Sequence, residues 1–195
     1  MVDLFANLEA KAKLAGVTHQ TRDSQLWFRT ATSRMGQISH AAILNNERLK
    51  KQSKAWIGQM VFFSYAAKHR ATLPYYDRFP LAVILGPAND GFLGLNLHYL
   101  PPIYRAKMLD SLMRVVNNDR YDETTRLRVS YDILKSLSKN NYYKPCVKHY
   151  LSTRVMSAFA KVEVSDYEMA VFLPTSSWHG ASEGTVYRDS RKRIK

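Results

Sequence analysis

Cys146 and His149 stand at i and i+3 and form the closest thiol–imidazole pair in the chain. That spacing can orient a thiolate nucleophile on an imidazole, or supply half of a zinc site. Zinc takes four ligands, and no second cysteine or nearby histidine completes the set. A cysteine nucleophile also needs a third group to orient its base, so Cys146 reads as a small core residue. His98 closes an apolar run and reads as a satisfied histidine at the end of a sheet. Asp77 and Asp90 bind a metal only if the fold brings them together, and Asp90 already serves a turn. Asp119, Asp122 and Glu123 are the densest acidic group, at positions where helix caps are wanted. There is no Gly-rich phosphate loop, no HExxH and no GxSxG. The expectation is a protein that is not an enzyme and uses no metal and no cofactor.

Charge gives the positive signal. Lys and Arg number 29 against 16 Asp and Glu, a net charge of +13 over 195 residues. From Arg48 to Tyr76 the chain carries Arg48, Lys50, Lys51, Lys54, Lys68 and Arg70 with no acid among them. From Ile133 to Val162 it carries Lys135, Lys139, Lys144, Lys148, Arg154 and Lys161, again without an acid, punctuated by Tyr142, Tyr143 and Tyr150. Lysine and arginine neutralise phosphates and aromatics stack on exposed bases. The expected DNA contacts are Lys135, Lys139, Lys144, Lys148, Arg154 and Lys161, with Arg191, Lys192 and Arg193 near the C-terminus. No recognition-helix, finger or RRM motif is present, so contact is expected to ignore base sequence. The alternative is that these charges meet acidic surfaces of neighbouring subunits, or only solvent.

The elements that must carry these residues follow from periodicity. Leu4, Leu8 and Ala12 predict a helix over 3–15, ended by Gly16. Asp23 or Ser24 is expected to cap a second helix with Trp27, Ala31, Met35, Ile38 and Ala42 on one face, reaching as far as Gln52. Met60 to Tyr65 predicts a strand. Leu81 to Leu85 and Phe92 to Leu97 predict a β-hairpin across Gly86–Gly91, with Asp90-Gly91 as its turn signal. A third helix starts at Pro102, with Met108, Leu109, Leu112, Val115 and Val116 buried, and stops at Asn117–Asp119. A fourth runs from about Asp122 to Ser138. Lys144 to Leu151 reads as a helical turn and Val155 to Val164 as a strand. Ser165 and Glu168 read as a capping box, with a short helix through Phe172 and Leu173. Thr175–Gly184 reads as loop and Arg188–Lys195 as a basic arm ordered by a partner.

The predicted fold is α+β: a small antiparallel sheet around a central hairpin, with N-terminal helices before it and a helix pair after it. The expected division is a helical segment 1–53, a core 54–186 and an arm 187–195. One cysteine excludes an internal disulfide. Met1 to Ala15 mixes charges with apolar residues and does not read as a signal peptide. No apolar run approaches the roughly 18 residues of a membrane span.

Three stretches carry a resemblance: GQMVFFSYAAKHRATLPYYDRFPLAVIL (58–85), GFLGLNLHYLPPIYRAKMLDSL (91–112) and YKPCVKHYLSTRV (143–155). With the LPYYD and GLNLHYLPP motifs inside them, the chain from about Thr21 to Lys195 resembles the DNA end protector proteins of large contractile-tailed bacteriophages. The resemblance implies a virion protein, made in the host cytoplasm, that joins the particle late and shields DNA ends from host exonucleases. It implies double-stranded DNA ends and other virion proteins as partners, in the neck, tail or baseplate, within a symmetric assembly. The alternative is a tail, neck or baseplate subunit acting through protein contacts. No motif of that family assigns DNA contacts residue by residue. The aromatic residues Trp27, Tyr75, Tyr76, Phe79 and Tyr99 are expected to serve subunit contact.

Overall fold

Leu81, Val83 and Leu85 alternate with Ala82 and Ile84, and both sets are buried, so this strand must be covered on two faces. A computed structural model describing residues 3–116, 132, 136 and 143–193 shows how. The strands are β1 (Lys50–Gln52), β2 (Met60–Phe62), β3 (Tyr76–Asp77), β4 (Leu81–Ala88), β5 (Gly91–Asn96), β6 (Val147–Leu151), β7 (Phe159–Lys161) and β8 (Trp178–His179). Six form one antiparallel sheet in the order β1-β7-β2-β4-β5-β6, and β3 pairs with β8 apart from it. The helices are α1 (Leu4–Leu14), α2 (Arg22–Ser33), α3 (His40–Leu44), α4 (Pro102–Val116), α5 (Tyr167–Phe172) and α6 (Glu183–Lys192). The α+β class is as expected.

One face of the sheet carries Met60, Phe62, Leu81, Val83, Leu95 and Ala160, packed with Phe5, Leu8, Phe28, Ile43, Met108, Val171 and Val186 from the helices. Residues 1–53 therefore share their core with the sheet. The opposite face carries Val61, Phe63, Ala82, Ile84, Tyr150 and Phe159, and no helix contributes to that cluster among the described residues. Aromatic rings cover it instead. Phe63 meets Tyr150, Phe159 and Phe92 with centroids 5.1, 5.2 and 5.8 Å away, edge to face, the geometry ring quadrupoles favour.

The hairpin forms, but more tightly than expected. A bulge between Ile84 and Gly86 lets β4 run on to Ala88, so only Asn89 and Asp90 remain in the turn. Asp90 takes the positive φ, 60°; Gly91 does not. Gly91 is needed for another reason. A Cβ there would sit 1.8 Å from the Tyr150 carbonyl oxygen, because β6 lies directly alongside.

α1 keeps its predicted bounds, with Asp3 capping it by accepting from the Phe5 and Ala6 N–H groups, and α4 starts at Pro102 as expected, its expected stop at Asn117–Asp119 lying outside the described residues. The second helix is shorter and turned. Thr21 caps it in a reciprocal box with Ser24, and it buries Ser24, Gln25, Phe28 and Thr32, not the Trp27 face. It ends at Ser33, before Gly36; α3 is a separate turn, and Lys50–Gln52 became an edge strand because β7 offers its backbone. Of Lys144–Leu151 only Lys144–Cys146 is a 3-10 turn, the rest pairing with β5 as β6. The Val155–Val164 strand shrinks to β7, Val155 keeping a single bridge to Tyr65. The Ser165–Glu168 capping box does not form. The Glu168 carboxylate accepts from the Gln20 N–H and the Ser24 hydroxyl instead, joining α5 to α2. The expected arm is the second half of α6: Val186 and Ser190 are buried, and Tyr187 accepts from Arg105. The fourth helix, with Lys135, Lys139, Asp119, Asp122 and Glu123, lies outside the described residues.

Candidate nucleic-acid interface

Asp77, Asn96 and His98 are polar residues set into apolar stretches, and the fold buries all three and joins them. β3 presents Asp77 and the end of β5 presents Asn96 and His98. His98 Nδ1 lies 2.7 Å from Asp77 Oδ2 and its Nε2 lies 3.1 Å from Thr175 Oγ1. Asn96 Nδ2 donates to Asp77 Oδ2 at 3.1 Å and to the Tyr150 hydroxyl at 3.0 Å. The other Asp77 oxygen accepts from the Phe79 and Ser177 N–H groups. Burial would raise the Asp77 carboxyl, but His98 and these donors hold it below the usual carboxylate range. Carboxylate, imidazole and hydroxyl stand in the order of a nucleophilic triad. At 2%, 0% and 0% exposure they are closed to substrate, and they work as a clasp between β3, β5 and the 173–177 loop.

A cavity of about 430 Å³ opens above this clasp. Tyr65, Tyr75, Tyr76, Tyr99 and Tyr150 line it, with Lys148 from β6 and Lys68 from the loop after β2. The Lys148 ammonium lies 3.9 Å from the Tyr99 ring centroid, a cation–π distance. Burial brings its pKa down to about 8, with Arg193 pushing the same way and the Cys146 thiol opposing. A second cavity of about 590 Å³ lies on the same side of the sheet, over Ile84, Phe92 and Phe159 and beside Lys54 and Trp56.

The two basic runs meet on this side of the sheet, where no described helix contributes to the apolar cluster. Register places Lys50 and Lys161 opposite each other and Lys161 opposite Val61; in antiparallel pairs opposed residues share a face. Lys148 shares that face with Tyr150, two residues on. Lys54 and Lys68 line the two cavities, and Arg154 is exposed on the 3-10 turn Ser152–Arg154 between Ser152 and Val155, both walls of the second. Lys144 is exposed just before β6, and Arg191, Lys192 and Arg193 are exposed at the end of α6. Some cations are occupied. Arg48 is held between Glu9 and Asp166. Lys161 sits 2.9 Å from Glu163 in a part-exposed pair that contributes little. Buried Arg105 donates to the Leu100 and Val171 carbonyls and to Tyr187.

The expected subunit contacts turn inward. Phe79 is fully buried, stacked 4.1 Å from the His40 ring and 5.6 Å from Phe62. Tyr76 and Tyr99 are buried too, and Trp27 and Tyr75 are half-buried against the core. They complete this chain's own interior, since β3 and β8 fold the 74–80 stretch onto the sheet. Cys146 is fully buried, and burial pushes its thiol up to about 12; His149 is exposed and donates to the Asn89 carbonyl at 2.8 Å. The pair is not a site. Asp77 and Asp90 lie toward opposite ends of the hairpin, and the described residues hold no metal-binding group of three His, Cys, Asp or Glu. The clasp escaped the sequence reading, although isolated polar residues in apolar motifs are its signal.

A family model described as phage T4 terminal DNA protecting protein matches residues 2–193. No curated protein and no solved structure matches the chain.

Proposed function

The chain belongs to the phage T4 terminal DNA protecting protein family, and we propose from that premise that it binds duplex DNA ends without reading base sequence and shields them by occupancy. The observation that carries this reading is the gathering of Lys50, Lys54, Lys68, Lys148, Arg154 and Lys161 on the side of the sheet that bears the aromatic cluster and the two cavities. Cations drawn from two distant stretches and gathered on one surface suit a phosphate backbone, and no recognition element accompanies them. The protein acts in the virion, beside the packaged DNA terminus. The test is binding of the purified protein to a blunt linear duplex and to the same DNA as a closed circle, across a salt series, with exonuclease digestion of the linear form. Preference for the linear form, protection from digestion and a slope of log K against log salt of roughly −5 are expected for six phosphate contacts. Equal, weak binding to both forms overturns the reading.

A second reading is favoured by one observation. Trp56 and Ile57 at the second cavity, with Met156 close by in sequence, are 66%, 48% and 66% exposed, the composition of a protein contact. A virion subunit docking there predicts a stable complex with another virion protein that survives salt.

A further inference from the structure

The tyrosine-lined cavity differs from the second cavity in its lining: five tyrosine rings surround Lys148, a part-buried cation with no ion-pair partner among the described residues. The charged and titratable groups acting on Lys148 are Arg193, at the end of α6, and the Cys146 thiol. No carboxylate among the described residues pairs with it: Asp77, beneath, is wholly engaged by His98, Asn96 and two backbone N–H groups, and Asp189 of α6 is hydrogen-bonded to Tyr75 at the cavity wall. A half-buried ammonium facing another cation calls for an anion from outside. The walls add a second requirement. Tyr65 and Tyr75 are only half-buried and line the opening, and aromatic faces stack any base without regard to its identity. At about 430 Å³ the cavity falls within the range of small-ligand sites.

An interior nucleotide of a duplex reaches such a cavity only by being unstacked and unpaired, at a cost of a few kcal/mol. A terminal nucleotide frays at lower cost. A terminal phosphate monoester is also close to a dianion with three free oxygens, whereas an internal diester carries a single charge. Resting on the end-binding reading above, we propose that this cavity receives the 5′-terminal nucleotide of a DNA strand, with its 5′-phosphate on Lys148 and Arg193 and its base against Tyr65 and Tyr75. The open basic side then holds the duplex behind the end, and the cavity is what distinguishes an end from a continuous helix.

The test compares four DNAs of one sequence at one salt concentration: closed circle, and blunt linear duplex with 5′-phosphate, with 5′-hydroxyl, or with 5′-hydroxyl and 3′-phosphate. The 5′-phosphorylated duplex should bind about tenfold or more tightly than the 5′-hydroxyl duplex, the scale of one charge-assisted hydrogen bond, and Lys148→Gln should bring that ratio close to one. Linear DNA preferred over the circle, but with the 5′-phosphate making no difference or the 3′-phosphate preferred, overturns the cavity assignment and leaves the end-binding reading standing. No preference for linear DNA overturns both. The comparison between wild-type ligands decides the matter even if Lys148→Gln does not fold.

Discussion

At the scale of single residues, the telling feature is how the fold treats its charges. Asp77 is a buried carboxylate that only its partners make tolerable, and Asp77→Ala should cost about 3–5 kcal/mol in urea unfolding, because it leaves the His98 ring, the Asn96 amide and two backbone N–H groups buried without their acceptor. Because Asp77 is held below its ordinary 3.8, its contribution is present above that value and is lost as pH falls through the lower folded value. Lys148 has the opposite sign. Its folded pKa of about 8 lies under the ordinary 10.5, so across that window the unfolded chain holds the extra proton and stability gains as pH rises. Lys148→Met should therefore be more stable than wild type near neutral pH, with an advantage that shrinks on the alkaline side. Cys146, pushed up from its ordinary 9 to about 12 by burial, opposes this in both proteins, and loses the downward pull of the Lys148 charge in the variant. A constant difference across pH would show that Lys148 is not desolvated.

At the scale of elements, the β4–β5 hairpin pairs with β6, the strand that brings Lys148 and Tyr150 to the tyrosine-lined cavity. Asp90→Ala keeps a non-glycine residue at positive φ and should lose about 1–2 kcal/mol. Gly91→Ala should cost more, because its Cβ meets the Tyr150 carbonyl and forces β6 away; melting curves of the two variants rank them. If Gly91→Ala were the milder, β6 would not lie where the ladder places it. Deleting Arg188–Lys195 removes half of α6 together with buried Ser190, and the melting temperature should fall; an unchanged value would mean that this helix is undocked. The bounds of α1, the start of α4 and the existence of the hairpin were legible in the sequence, since Asp3, Pro102 and the Asp90-Gly91 turn signal act within a few residues of themselves; the bulge that carries β4 on to Ala88 was not. The capping box at Ser165 was legible and absent, because Glu168 found a better donor set in Gln20 and Ser24, more than a hundred residues away.

At the scale of the whole molecule, the chain sorts its surface. Helices enclose one face of the sheet, and among the described residues the other carries rings, cavities and lysines. Because Phe5, Leu8, Phe28 and Ile43 share a core with Leu81 and Leu95, chemical denaturation should show one transition, with limited proteolysis releasing no stable fragment over 54–186. Two transitions would indicate that 1–53 folds apart. The net charge of +13 makes all DNA binding steeply salt-dependent, so end preference is to be read as a ratio at fixed salt.

The sequence by itself determined the α+β class, the hairpin, the bounds of α1, the start of α4, and a basic character joined to a family resemblance that the match over residues 2–193 bears out. These rest on composition, on turn and cap residues, and on strings read along the chain. Only the tertiary structure decided which of the described cations are held in ion pairs, that Tyr75 and Tyr99 line a cavity, and that Asp77, His98 and Thr175 form a clasp. Pairings such as Lys50 with Lys161 and Tyr76 with His179 join residues about a hundred positions apart. A charge or a ring carries no mark in the sequence of the partner it will meet across that distance.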